Sequence, residues 1–161
     1  MNDMSTHGSN AVRFDVSQDS SPAQAAPRRV RRRQGENRER LLRAGIIVFG
    51  NHGYHGAQTA GIAALADVPQ PHVYANFSTK QELFLACAER VCEALESTVL
   101  APGSDQDEAA YGMFLLQCVA AFAEPKLQPE LGALLEQLRK QIGAQRVLDL
   151  ICASVSVVLH E

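Results

Sequence analysis

Helical spacing of apolar residues dominates the chain from residue 36 onward. Apolar side chains there recur every three or four positions, and no long segment alternates apolar and polar residues as a β-strand would. The spacing predicts helices over residues 36–51, 59–66 and 70–76, a fourth reaching about residue 100, and two or three more striped over 111–122, 131–142 and 147–159. The chain is therefore predicted to be all-α.

Composition agrees with an ordinary globular protein. The chain has 161 residues, of which 46% are hydrophobic and 20% charged, so it can bury a core without disulfide bonds. It contains no apolar run near the roughly 20 residues of a membrane span and no N-terminal apolar segment typical of a signal peptide. A cytoplasmic protein with no membrane contact is expected.

Charge is distributed unevenly, although the net charge is only −3. Residues 1–27 carry one basic and three acidic side chains, and residues 28–80 carry nine basic and three acidic ones, a local charge of +6. Residues 81–161 carry five basic and twelve acidic side chains, a local charge of −7. The basic segment has the electrostatic character of a polyanion binder. An Arg-rich tail or sorting signal is the alternative for residues 28–33 taken alone.

Two short predicted helices, residues 59–66 and 70–76, follow one longer helix and are joined by a tight turn. This order is typical of a helix-turn-helix, whose second short helix enters the major groove of DNA. The spacing directs Val68, Val73 and Phe77 inward. It directs three other side chains outward: Gln70, His72 and Asn76. These are hydrogen-bonding side chains of the kind that read base edges.

Residues 38–84 resemble the DNA-binding domain of the tetracycline-repressor (TetR) family. Each motif alone is weak evidence for the family. Together, however, the motifs match the family pattern without a gap, and this joint spacing is specific. The landmarks are Leu41, Leu42, Phe49, Gly53, Tyr54, Ile62, Ala63, Ala66, Val68, Val73, Tyr74, Phe77, Lys80, Glu82 and Leu83. The resemblance implies an N-terminal three-helix DNA-binding domain followed by a helical ligand and dimerisation domain.

The resemblance also implies which side chains meet DNA. Thr59 and Lys80 are expected to contact phosphates, Gln70 to reach bases, and Tyr74 and Asn76 to touch backbone or bases. Lys80 lies in the first turn of its helix, where the backbone N–H groups favour an anion. The predicted DNA-binding residues are Arg31, Arg32, Arg33, Gln58, Thr59, Gln70, Pro71, His72, Tyr74, Asn76 and Lys80.

The chain departs from the family pattern in three places. Asp67 occupies a turn position that is usually glycine, and aspartate is among the few residues that tolerate a left-handed turn. Pro69 replaces a capping residue, so the recognition helix loses a cap worth about 1 kcal/mol. Residues 81–161 are shorter than the family's usual second domain, which indicates either a truncated chain or a reduced sensor domain.

The predicted organisation is a disordered tail (1–27), a basic arm (28–35), a helix-turn-helix domain (36–80) and a helical regulatory and dimerisation domain (81–161). In the last, Tyr111, Phe114, Cys118 and Phe122 form a stripe that lines either an apolar ligand pocket or ordinary core. The candidates for a dimer interface are Leu138, Ile142, Ile151, Val155 and Val158.

No catalytic constellation or cofactor motif is found in the sequence. Cys87, Cys92, Cys118 and Cys152 are scattered over helices without a C-x-x-C motif, so core filling is preferred to metal or redox sensing. The leading interpretation is a homodimeric transcriptional repressor that a small apolar effector releases from a palindromic double-stranded DNA operator. The alternative is a helical DNA-binding, architectural or protein-interaction module without a sensor.

Overall fold

The computed structural model describes residues 34–98 and 105–159, and every regular element in these two ranges is a helix. The helices are α1 (Gln34–Gly56), α2 (Thr59–Leu65), α3 (Gln70–Asn76), α4 (Lys80–Thr98), α5 (Asp105–Ala121), α6 (Gln128–Ile142) and α7 (Ala144–Leu159). The all-α prediction is confirmed. The predicted tail and the arginines Arg31, Arg32 and Arg33 lie outside the described residues.

Helices α1, α2 and α3 pack around one apolar centre. Leu41 and Phe49 of α1, Ile62 of α2 and Val73 of α3 are almost fully buried, as is Phe77 just after α3. Burial of each such side chain stabilises the fold by about 1.5–3 kcal/mol. The predicted inward positions Val68, Val73 and Phe77 are therefore confirmed.

The turn between α2 and α3 has a left-handed residue at its centre. Asp67 has a φ of 50°, and its backbone N–H donates to the carbonyl of Ala64 over 3.1 Å. The next N–H, of Val68, donates to Ala63 over 3.0 Å. Asp67 thus takes the conformation that the sequence required of it. Pro69 precedes α3 and provides no side-chain cap, also as expected.

Helix α1 runs further than the sequence indicated. Gly53 has a positive φ (70°), but its ψ is 174°, which is outside the left-handed helical region. One more helical turn follows this kink, and the N–H of Ala57 closes it on the carbonyl of Gly53 over 3.1 Å. The glycine therefore bends the helix at position 53 instead of ending it near residue 51.

Helix α4 begins with a modified capping box. The hydroxyl of Thr79 accepts from the N–H of Glu82 over 3.0 Å, and the Glu82 carboxylate accepts from the N–H of Ser78 over 2.7 Å. The sequence has the capping-box spacing twice, as Thr79–Glu82 and as Ser78–Gln81. The second pair is not formed, because the Gln81 side chain donates instead to the carbonyl of Lys126.

An aromatic cluster joins α1, α4 and α5. The ring of Phe84 lies edge-on to Phe49 at 5.0 Å and tilted against Phe114 at 5.2 Å between centroids. All three side chains are fully buried. The first three helices and the remaining helices therefore share one continuous core.

The apolar stripe of α7 is only partly turned to the core. Leu150 and Ser154 are buried in the part of this helix whose side chains are described, whereas Leu148, which belongs to the stripe over 147–159, is 55% exposed. The reason lies in α5: a Cβ on Gly112 would overlap the Ser154 hydroxyl and the Leu150 carbonyl. The missing side chain of Gly112 lets α7 approach closely along that line.

The predicted dimer residues are only partly available to a second copy. Leu138 is wholly buried by other helices of its own chain, so its inclusion was wrong. Ile142, Ile151 and Val155 are half-buried, and the side chain of Val158 lies outside the described part.

Candidate nucleic-acid interface

The first turn of α3 is exposed. Gln70, Pro71 and His72 are exposed there, while Val73 in the next position is buried. Proline is tolerated because N–H groups in the first turn have no partner within the helix. The buried side of α3 thus fixes the helix and leaves its N-terminal end free for contact with a ligand.

Tyr74 projects from the same helix toward α2. Its side chain is more than half exposed, and its hydroxyl lies 3.2 Å from the hydroxyl of Thr59, the first residue of α2. Each hydroxyl retains further hydrogen-bonding capacity. The structure therefore brings together two of the predicted DNA contacts as one paired polar feature.

Asn76 is placed differently from Gln70. Its side-chain amide nitrogen donates to the carbonyl of His72 over 2.7 Å, and the side chain is half-buried. One of the two N–H groups of this amide is thus engaged on its own helix. Gln58 precedes α2, is exposed and forms no side-chain cap.

Lys80 lies at the start of α4, as the phosphate prediction requires, and is also attached to the end of α1. Its Nζ donates to the carbonyl of His55 over 3.2 Å and stands 5.2 Å from the centroid of the Tyr54 ring. Partial burial lowers the pKa of Lys80. The pKa of Tyr54 is raised by burial and by the charge of Glu124.

Two further arginines flank the helix-turn-helix and were not singled out from the sequence. Arg38 is exposed and stacks on the ring of Phe77, with its Cζ 4.9 Å from the ring centroid. Arg40 pairs with Asp67 at 3.4 Å. The only sequence signal for Arg38 was the positive charge of residues 28–80, because its stacking depends on where α3 ends.

The predicted pocket residues do not surround one cavity. Phe114 and Cys118 have essentially no accessible surface and therefore border no cavity that could admit even water. Phe122 is exposed beyond the end of α5 and lies beside Gly132. Of the four residues, Tyr111 alone lines a crevice in the described part of the chain, between α1, α4 and α5.

Neither a metal-ligand group nor a membrane-spanning helix is found in the described ranges. No three His, Cys, Asp or Glu side chains there are grouped as metal ligands would be. None of the helices there is both long and apolar enough to cross a bilayer.

The order of helices, the buried side of α3 and its exposed first turn define a helix-turn-helix DNA-binding domain. Residues 41–87 match the family model for bacterial regulatory proteins of the tetR family. The resemblance and the fold predicted from the sequence are thereby confirmed.

A 64-residue segment is 44% identical to the HTH-type transcriptional activator FasR of Mycolicibacterium smegmatis. The match covers 40% of this chain and 29% of that activator, so the matched segment is under a third of the relative's length.

Solved structures resemble a larger part of the fold. A Mesorhizobium loti protein described as a TetR-family transcriptional regulator has a TM-score of 0.50 at 20% identity, over 80% of this chain and 71% of that chain. The multidrug binding protein EbrR in complex with malachite green has a TM-score of 0.49 at 21% identity, over 76% and 85% of the two chains. The first of these likenesses supports the fold and nothing further.

Proposed function

We propose that the chain is a transcriptional regulator that binds a palindromic DNA operator as a homodimer. The observation that carries the proposal is the exposed first turn of α3, with Gln70, Pro71 and His72 set over the buried Val73. A helix held in this way fits the major groove, and twofold symmetry would place two such helices about 34–36 Å apart.

Phosphate contacts on both sides of α3 would orient it in the groove. Thr59 and Tyr74 offer hydroxyls on one side, while Lys80 and the stacked guanidinium of Arg38 offer positive charge nearby. Such contacts supply affinity without sequence information, whereas base contacts supply specificity. The predicted arm of Arg31, Arg32 and Arg33 would add to the first class.

The direction of regulation is a separate part of the proposal. The family resemblance predicts a repressor that a small apolar effector releases, whereas the Mycolicibacterium relative is an activator. An effector must bind the released geometry more tightly than the DNA-bound one if it is to shift the equilibrium. A promoter–reporter assay decides between the two directions. A cytoplasmic location belongs to the same proposal.

The test is selection of a binding sequence from random DNA with the full chain, followed by fluorescence anisotropy. A regulator is expected to bind the selected palindrome at least about 10³-fold more tightly than random DNA at physiological salt. Light scattering should give a dimer. Equal affinity for both DNAs, with a steep loss in salt, would favour the sensor-less architectural alternative.

A variant of the arm separates the two kinds of contact. Changing Arg31, Arg32 and Arg33 together to Gln should weaken binding to all sequences alike and flatten the salt dependence. The matched control is Arg139→Gln, which removes an exposed arginine paired with Glu136 on α6. A change of preferred sequence at constant salt slope would identify the arm as a base reader.

A further inference from the structure

A crevice of about 330 Å³ lies between α1, α4 and α5, apart from the DNA-facing helices. This volume falls within the range of small-molecule sites. One part of its lining is polar and contains Arg43, Arg90 and Tyr111, with Asp107 at the same end. The remainder is aliphatic, formed by Ile46, Ile47 and Ala110.

The polar end contains a cluster of charged side chains. Arg43 and Arg90 each direct Nε to the same oxygen of Glu39, at 3.3 Å in both cases. Two guanidinium groups therefore share one carboxylate, and Asp107 at the same end brings the cluster to two positive and two negative charges. Within the described ranges neither guanidinium has another hydrogen-bonding or ionic partner. A second carboxylate can bind the remaining N–H groups of these forked side chains.

The aliphatic end continues into a second hollow. This hollow, of about 160 Å³, shares Ile46, Ile47 and Ala110 with the crevice and extends along α1 and α5 to Met113. Ile47 is 44% exposed in this position. An elongated apolar group lying there would remove this surface from water, which favours binding.

We propose that the crevice binds an aliphatic carboxylate, with its head on Arg43 and Arg90 and its chain along Ile46 and Ile47 toward Met113. This site shares only Tyr111 with the stripe singled out in the sequence, because Phe114 and Cys118 are buried in the core and Phe122 does not line the crevice. It lies where the helix that carries the DNA-binding domain meets the rest of the chain.

Acidic and basic groups both act on the Tyr111 hydroxyl. Burial and the charge of Asp107 raise its pKa, as does Glu39, while Arg90 and Arg43 lower it. The Tyr111 hydroxyl therefore belongs to the polar end of the crevice.

The effect on DNA rests on the proposed function. Helix α1 leads into the helix-turn-helix, and α5 packs along α1 on the other side of the crevice. An occupant between these helices would favour one separation over another and so alter operator affinity.

Titration calorimetry with octanoate tests the site on the full chain without DNA. Octanoate should bind, while acetate, which lacks the chain, and octanol, which lacks the charge, should bind at least about tenfold more weakly. Arg43→Gln combined with Arg90→Gln should weaken octanoate by a similar factor, and Ile47→Gln should weaken it without changing the charge. Arg139→Gln is the control with unchanged affinity.

The proposed site would be overturned if octanol bound as tightly as octanoate. It would also be overturned if both the double arginine variant and Ile47→Gln bound octanoate with unchanged affinity. Thermal melts confirm that each variant is folded. Anisotropy on the selected operator is then repeated with octanoate. If the ligand-free protein binds the operator no more tightly than random DNA, only the proposed function is overturned. The proposed site is judged separately, because calorimetry measures octanoate affinity without DNA.

Discussion

The side-chain amide of Asn76 donates to the backbone carbonyl of His72, 2.7 Å away and one turn earlier in α3. Gln70, at the other end of the helix, is exposed. The sequence placed both residues among the base readers. The structure distinguishes them, because an amide that already donates one of its two N–H groups to its own helix is less free to turn toward a base than the exposed amide of Gln70.

Gln70→Ala should therefore reduce discrimination between the selected operator and its base-substituted forms by about 1–3 kcal/mol. Asn76→Ala should change base preference less. The measurement is anisotropy against a panel of operators, each substituted at one position, at constant salt. Asn76→Ala serves as the control on the same helix, and a larger loss of discrimination in it than in Gln70→Ala would reverse this assignment.

Asp67 should tolerate glycine better than a β-branched residue. Its φ of 50° is accessible to glycine without strain, and the ion pair lost with Arg40, 3.4 Å away and partly exposed, is worth no more than about 1 kcal/mol. Asp67→Val removes the same ion pair and should cost about 1–2 kcal/mol more, because the side chain clashes in this region. Urea denaturation of both variants measures the difference, and equal stability would show that the turn relaxes.

Gly112→Ala should destabilise the chain by about 3 kcal/mol, the upper part of the range for overpacking, because the new methyl group would overlap the backbone of Leu150. Gly61→Ala is the matched control. Gly61 lies within α2 with no atom near its missing Cβ, so alanine should stabilise by about 0.5–1 kcal/mol. Chemical denaturation of the two variants should shift in opposite directions, and a neutral Gly112→Ala would contradict the close approach of α5 and α7.

Only one of the four thiols should react quickly with Ellman's reagent at pH 8. Cys152 is exposed, whereas Cys87, Cys92 and Cys118 are buried. Burial raises the pKa of all three, that of Cys92 to about 11, so they hold little thiolate at this pH. Cys152→Ser should remove the fast phase, and urea should expose every remaining thiol. Two fast thiols in the folded wild type would contradict this packing.

The bounds of α3 were predictable because local signals agreed. Pro71 suits only a first turn, and Val73 and Phe77 lie four residues apart on one side, so the helix over 70–76 was obtained correctly. Asp67 offered a similar local signal for the turn. In each case the information lies within a few residues of the feature.

Features set by a neighbouring helix were not predictable in this way. The buried side of α7 depends on the missing side chain of Gly112. The sequence left open whether Phe114 lines a pocket or the core, and its ring packs against Phe49 and Phe84. The attachment of Lys80 to the carbonyl of His55 likewise joins residues 25 positions apart. Periodicity shows that a side chain is apolar or polar, but not which partner reaches it.

The hydroxyl pair of Thr59 and Tyr74 bears on the entropy of association. Immobilising a side chain at an interface typically costs about 0.5–1.5 kcal/mol of conformational free energy. Binding does not incur this cost when the side chain is already immobilised in the folded protein. The Tyr74 ring is restrained by Thr59 in the free protein, so DNA would meet a side chain with little rotational freedom left to lose. Tyr74→Phe would keep the ring but release this restraint, and would therefore make association less favourable in entropy.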